Sequence, residues 1–142
     1  MIEGELGFFG AGQMAQALAA GWVRTGLVSP NKICAYDPNQ SAMTQFKERV
    51  GSINALDSIA AVTNKADILL IAVKPQYTSE VLKAASPEMT PNKLVISIAA
   101  GVTLEKLESA LPAETPVIRV MPNTPCLIGK GACCYTLGGS AS

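Results

Sequence analysis

Apolar positions fall into two rhythms that alternate from one end of the chain to the other. Unbroken apolar runs predict strands, and apolar residues three and four apart predict helices. Residues 5–9 form the first run. Residues 13–25 then bring Met14, Leu18, Gly21, Trp22 and the small Ala17 near one helical face, and Gly26 is placed to end that helix. A second strand is expected over 32–36, a short helix over 41–49 with Ser41 as its N-cap, and a short strand over 52–55. Asp57 or Ser58 can cap a further helix through Thr63. Residues 68–73 are apolar without alternation, which suits a central parallel strand buried on both faces, and Lys74-Pro75 ends it.

The same alternation continues to the end of the chain. A helix is expected over 78–85, a buried strand over 94–98, a small-residue turn at Ala99-Ala100-Gly101, and a helix from the Thr103 cap to Leu111. A strand over 116–121, a rigid Pro122-Asn123-Thr124-Pro125 loop and a last strand over 131–137 follow. Repeated strand–helix units with right-handed crossovers predict an α/β fold: a Rossmann-like, doubly wound, mainly parallel sheet with helices on both faces. Residues 1–137 read as a single domain, and 138–142 as a flexible tail or a truncated linker.

Composition narrows the function classes. Of 142 residues, 49% are hydrophobic and 15% charged, a core-rich globular balance. Eleven basic and 11 acidic residues cancel, and no basic patch stands out, which argues against a nucleic-acid partner. The longest apolar run is too short to span a bilayer. Glu3 and Glu5 replace the basic start of a secretory signal, so a cytoplasmic protein is expected. Cys34, Cys126, Cys133 and Cys134 fit no zinc spacing and read as reduced thiols, so no metal is expected. The chain has no histidine, which excludes nucleophile schemes based on Ser-His or Cys-His pairs. Any chemistry falls to a cofactor, a carboxylate, a lysine, or groups outside this chain, and no catalytic residue is assigned.

Binding chemistry gathers where strands end. Gly10, Ala11, Gly12, Gln13, Met14 and Ala15 form Gly-x-Gly-x-x-Ala between a strand and a helix, the order a dinucleotide requires. Gly10 serves the tight turn, Gly12 lets backbone lie against a pyrophosphate, and Ala15 lets the helix pack close. Asp37 follows the second strand. It either accepts hydrogen bonds from adenosine ribose hydroxyls, favouring NAD over NADP, or caps the turn before Pro38. Ala72, Val73, Lys74 and Pro75 follow the buried strand; Lys74 either reaches ribose or phosphate or is a solvated lysine. Ala99 and Ala100, with Asn123 and Thr124, are placed for the nicotinamide end, although Asn and Thr also serve rigid turns. Arg119, inside an apolar strand, is expected to snorkel or to pair with a carboxylate.

Four of these blocks resemble one family. They are Phe8-Phe9-Gly10-Ala11-Gly12-Gln13-Met14-Ala15, Ala72-Val73-Lys74-Pro75, Ser97-Ile98-Ala99-Ala100-Gly101-Val102-Thr103 and Arg119-Val120-Met121-Pro122-Asn123-Thr124-Pro125. In order and spacing, the set is similar to the N-terminal half of pyrroline-5-carboxylate reductase. That resemblance implies reduction of the C=N bond of 1-pyrroline-5-carboxylate to L-proline with hydride from NADPH or NADH. It places nucleotide contacts at 10–15, 72–75 and 97–100, and Asn123-Thr124 beside nicotinamide and substrate. Asp37 departs from the Ser or Thr of members that use NADPH, which leans toward NADH or mixed use. Family members also continue into a helical, dimerising domain, so this chain reads as the cofactor-binding part of a homo-oligomeric parent. Two other readings are a stand-alone NAD(P)-binding module, and a related dehydrogenase acting on hydroxyacids or on a deazaflavin.

Overall fold

The computed structural model describes residues 1–141; Ser142, the last residue of the expected tail, lies outside the described residues. Twelve elements follow in order: β1 (Leu6–Phe9), α1 (Gln13–Arg24), β2 (Ile33–Tyr36), α2 (Gln40–Val50), β3 (Asn54–Ala55), α3 (Ile59–Lys65), β4 (Ile68–Ile71), α4 (Thr78–Ala85), β5 (Leu94–Ser97), α5 (Leu104–Ser109), β6 (Val117–Met121) and β7 (Cys134–Leu137). The strands form one sheet in the order β3-β2-β1-β4-β5-β6-β7. Every neighbouring pair is parallel except β6 and β7, which run antiparallel. The expected Rossmann-like architecture is therefore present. Its order reverses between β1 and β4, the switch point at which such sheets open a crevice.

Alternation along the central strands sends side chains into two cores. Leu6 and Phe8 of β1, Ile33 and Ala35 of β2 and Leu70 of β4 pack with α1 and α2. Phe9, Cys34, Leu69, Ile71, Val95 and Val117 point the other way and pack with α3, α4 and α5. Continuous apolar sequence in β4 has this cause: Leu69, Leu70 and Ile71 are at most 1% exposed although they face opposite sides. On the first face Phe8 meets Phe46 edge-on at 5.3 Å between ring centroids and Trp22 at 6.1 Å. Gly26 stops α1 in the left-handed region at φ +76°, as expected of a C-terminal glycine.

Several boundaries differ from the sequence expectations, each for a local reason. Asn39, not Ser41, caps α2: its side-chain oxygen accepts the Ala42 N–H at 3.2 Å, and Ser41 lies inside the helix. Ser58 rather than Asp57 caps α3, accepting the Ala61 N–H at 3.1 Å. The last strand begins at Cys134 instead of 131, because the Ala132 N–H is taken by the Asn123 side chain at 3.1 Å. Among the described residues Arg119 pairs with no carboxylate; it donates to Met121 Sδ at 3.4 Å. At the end of the described chain, Gly138 N–H donates to the Val117 carbonyl at 2.8 Å and Gly139 N–H to Glu108 Oε1 at 2.8 Å. Among the described residues no helix is long and apolar enough to cross a membrane.

Two measurements check this packing. Phe46→Ala removes the ring that closes over Phe8 and is expected to cost about 3–5 kcal/mol in urea unfolding, whereas Tyr135→Ala, 71% exposed, stays within about 0.5 kcal/mol. Burial pushes the Cys34 thiol from 9.0 up to about 11, with the Glu5 carboxylate adding to the push. Between those two values the folded chain then holds a proton that the unfolded chain has released. This stabilisation is complete below pH 9.0 and is lost as pH rises through about 11, a difference of about 3 kcal/mol. Unfolding midpoints at the two ends of that range should differ less in Cys34→Ala than in the parent.

Candidate functional site

All parallel strands deliver their C-terminal ends to one edge of the sheet, and the candidate residues lie in the loops that leave it. At its centre β1 gives way to Gly10, whose N–H donates to the Tyr36 carbonyl at 2.9 Å. Gly10 sits at φ +98°, and a Cβ there would come within 2.6 Å of the Ala72 carbonyl oxygen. The Ala72 N–H in turn donates to the Phe9 carbonyl at 2.8 Å. Loops after β1, β2 and β4 are thus joined through backbone contacts.

Beyond the turn, Gly12 is the N-cap of α1, and among the described residues no side chain caps the first turn. The first helical bond is Gln16 N–H to the Gly12 carbonyl at 3.0 Å, so the N–H groups of Gln13, Met14 and Ala15 lie ahead of the intrahelical ladder. No acidic residue occupies this turn, and a Cβ on Gly12 would meet none of the described residues within 4 Å. Bare N–H groups, the positive end of the helix dipole and open space beside Gly12 are what an anionic phosphate group needs.

Asp37 has a definite task in this arrangement. Its Oδ2 accepts the Ala11 N–H at 2.9 Å and its Oδ1 accepts the Asn39 N–H at 2.8 Å. The carboxylate therefore fixes the glycine turn and starts the approach to α2. Each oxygen keeps further lone pairs for a hydroxyl. Gln16 was not singled out in the sequence, yet it is 4% exposed and its Nε2 donates to the Ala11 carbonyl at 2.9 Å. An amide among Ala15, Ala17 and Ala19 on the buried face of α1 is the signal that could have revealed it.

The remaining candidates divide into two groups. Ala72, Val73, Lys74 and Pro75 leave β4 directly into a 3-10 turn over Pro75–Tyr77. Ala99 and Ala100 follow β5, where Ser97 Oγ accepts the Ala99 N–H at 3.3 Å and holds the small-residue turn. Both segments sit on the same edge as the glycine turn. Asn123 and Thr124 begin there too, after β6, but their loop turns away toward the helices. Asn123 Oδ1 is occupied by the Ala132 N–H, and the Leu127 carbonyl accepts from Arg49 at 3.0 Å. A cleft of about 500 Å³ lies along this packing, lined by Gly21, Arg24, Arg49, Cys126, Leu127 and Ile128, away from the strand edge. Among the described residues no cluster of three His, Cys, Asp or Glu side chains could hold a metal ion.

Gly10→Ala places a Cβ into the Ala72 carbonyl at a backbone angle L residues avoid; it should destabilise the chain by at least about 2 kcal/mol in chemical unfolding. Gly12→Ala meets only open space and should shift the same measurement by less than about 0.5 kcal/mol.

Three comparisons bear on this arrangement. The chain is 38% identical over 137 residues to pyrroline-5-carboxylate reductase 3 of Danio rerio, covering 96% of this chain and 47% of the relative. It is 39% identical over 130 residues to the pyrroline-5-carboxylate reductase of Escherichia coli (strain K12), covering 92% and 48% respectively. The crystal structure of Plasmodium falciparum pyrroline carboxylate reductase with NADP bound superposes with a TM-score of 0.86 at 32% identity, over 100% of this chain and 51% of that one. This chain thus spans about half the length of the curated relatives it matches. Residues 5–101, from the start of β1 through the turn after β5, match the model of one family, and the chain belongs to it: the coenzyme F420-dependent NADP oxidoreductases.

Proposed function

We propose that this chain is the dinucleotide-holding part of a pyrroline-5-carboxylate reductase, which uses NADPH or NADH to reduce 1-pyrroline-5-carboxylate to L-proline. The observation that carries the proposal is the uncapped first turn of α1 beside the open Gly12 position. Similarity to reductases of that name along nearly the whole chain supports the substrate class. The NADP bound to the similar Plasmodium falciparum enzyme supports the cofactor class.

In this assignment, N–H groups of Gln13, Met14 and Ala15 hold the pyrophosphate, while Gly10, Ala11 and Gly12 let backbone approach it. Asp37 stands at the ribose of the adenosine half. Its negative charge opposes a 2′-phosphate, partly offset by the two N–H groups it already accepts. Ala72, Val73, Lys74 and Pro75 lie along the middle of the cofactor, and Ala99, Ala100, Asn123 and Thr124 toward its nicotinamide end. The nicotinamide supplies the hydride when bound. The chain's contribution is placement, holding the reacting ring against the imine carbon and away from water. The parent enzyme is assigned to the cytoplasm and to a homo-oligomer built through a helical domain.

Titration of the chain with NADPH and with NADH, followed by nucleotide fluorescence, tests the site. Gly12→Ala should weaken both by at least about tenfold while leaving the unfolding midpoint in place. Asp37→Ser should raise the ratio of NADPH to NADH affinity by at least about tenfold. Equal binding by parent and Gly12→Ala would remove the pyrophosphate from this turn. Nicotinamide oxidation by the parent enzyme on adding 1-pyrroline-5-carboxylate tests the substrate separately. Binding without that oxidation would favour a stand-alone nucleotide module.

A further inference from the structure

The loop between β6 and β7 brings two thiols together. Cys126 Sγ and Cys133 Sγ lie 3.9 Å apart, with Cys126 half-buried and Cys133 exposed. Their approach is built into the local backbone. Cys126 N–H donates to the Asn123 carbonyl at 2.9 Å, Lys130 N–H to the Pro125 carbonyl at 2.9 Å, and Ala132 N–H to Asn123 Oδ1 at 3.1 Å. A Cβ at position 131 would overlap Cys126 Sγ, so Gly131 is what lets that sulfur lie across the loop toward Cys133. Arg49 holds the far side of the loop through the Leu127 carbonyl at 3.0 Å.

We propose that Cys126 and Cys133 are a site of reversible oxidation, closing to a disulfide that staples residues 123–133 when hydrogen peroxide is present. The entropic cost of bringing the two sulfurs together is already met in the folded state, since the loop is bent and hydrogen-bonded before any bond forms. Bond formation requires the sulfurs to move from 3.9 Å to about 2.05 Å, a distance within reach of side-chain rotation in an exposed loop. The exposed Cys133 thiolate attacks the peroxide: an S–O bond forms, the O–O bond breaks, and hydroxide leaves. Cys126 thiolate then attacks the Cys133 sulfur, forming the S–S bond and expelling the second hydroxide. Both hydroxides take up the thiol protons. Two thiols and one peroxide become one disulfide and two waters, with two electrons passing to the peroxide.

Neither of the other cysteines competes well. Cys34 is buried in the sheet with its thiol pushed up to about 11. Cys134 lies in β7 opposite Met121, and consecutive extended residues point to opposite faces. The Cys133 thiol is itself raised, by burial first and by the adjoining Cys126 sulfur, so the reaction should accelerate as pH rises.

Hydrogen peroxide treatment of the chain, followed by alkylation of remaining thiols in denaturant and tryptic mapping without reductant, tests the pair. Cleavage after Arg119 and Lys130 puts Cys126 on one peptide and Cys133 with Cys134 on the next. The expected product is a cross-link between those peptides, with alkylatable cysteines falling from four to about two. Cys134→Ser should leave the cross-link unchanged, and Cys133→Ser should abolish it. In Cys126→Ser the Cys133 sulfenic acid should persist and be trapped by dimedone. A cross-link that survives Cys133→Ser, a bond between Cys133 and Cys134, or over-oxidation of all exposed thiols without a disulfide would each overturn the proposal. The cross-link is read by mass and does not depend on nucleotide binding.

Discussion

A carbonyl oxygen standing where a side chain would otherwise be is the contact on which this architecture turns. Ala72 O occupies the space of the absent Gly10 Cβ, at the one place where the strand order reverses. Because Gly10 accepts φ +98°, the chain can leave β1 sharply, enter α1, and still keep β1 and β4 paired through the Ala72–Phe9 bond. Any other residue would force the two strand ends apart. The crevice above the switch point would then lose its floor, and α1 would no longer start at the sheet edge.

The loops around that contact are held by groups whose own needs are met. Asp37 accepts two backbone N–H groups, and Gln16 donates to the carbonyl of the residue between the glycines. The N–H and the carbonyl of Ala11 are both engaged in this way, one by a carboxylate just past β2 and one by an amide from α1. What is left without a local partner is the first turn of the helix. The polarity of the site comes from that contrast: a turn held at Gly10 and Ala11 beside a helix end without a side-chain cap.

Sequence patterning carried the architecture further than it carried the details of the site. The apolar run of β4, the strand–glycine–helix order at 6–15 and the Gly26 stop were legible because each rests on local chemistry: burial on both faces, a steric need at one position, a left-handed backbone angle. The α2 cap was misplaced, since Asn39 and Ser41 are both good capping residues and only the approach from Asp37 decides between them. Arg119 offered no local clue that its partner is a thioether two residues on. Gln16 was hidden for the opposite reason: a polar residue on an apolar helix face reads as noise until the carbonyl it meets is in place. Asn123 lay at the right strand end, but its use of Oδ1 to hold the residue 132 backbone depends on the return of the chain nine residues later, which pattern alone does not encode.

The antiparallel turn of β7 has a geometric consequence of its own. Strand β6 carries the chain up to the loop edge, and β7 carries it back down, so that Gly138 closes onto Val117 at the foot of the sheet. The opening residues lie at that same foot, with Ile2 bound to the Leu27 carbonyl below α1. First and last described segments thus share one rim, opposite the rim that carries the glycine turn. Tethers or reporters attached at this rim would leave the other rim clear.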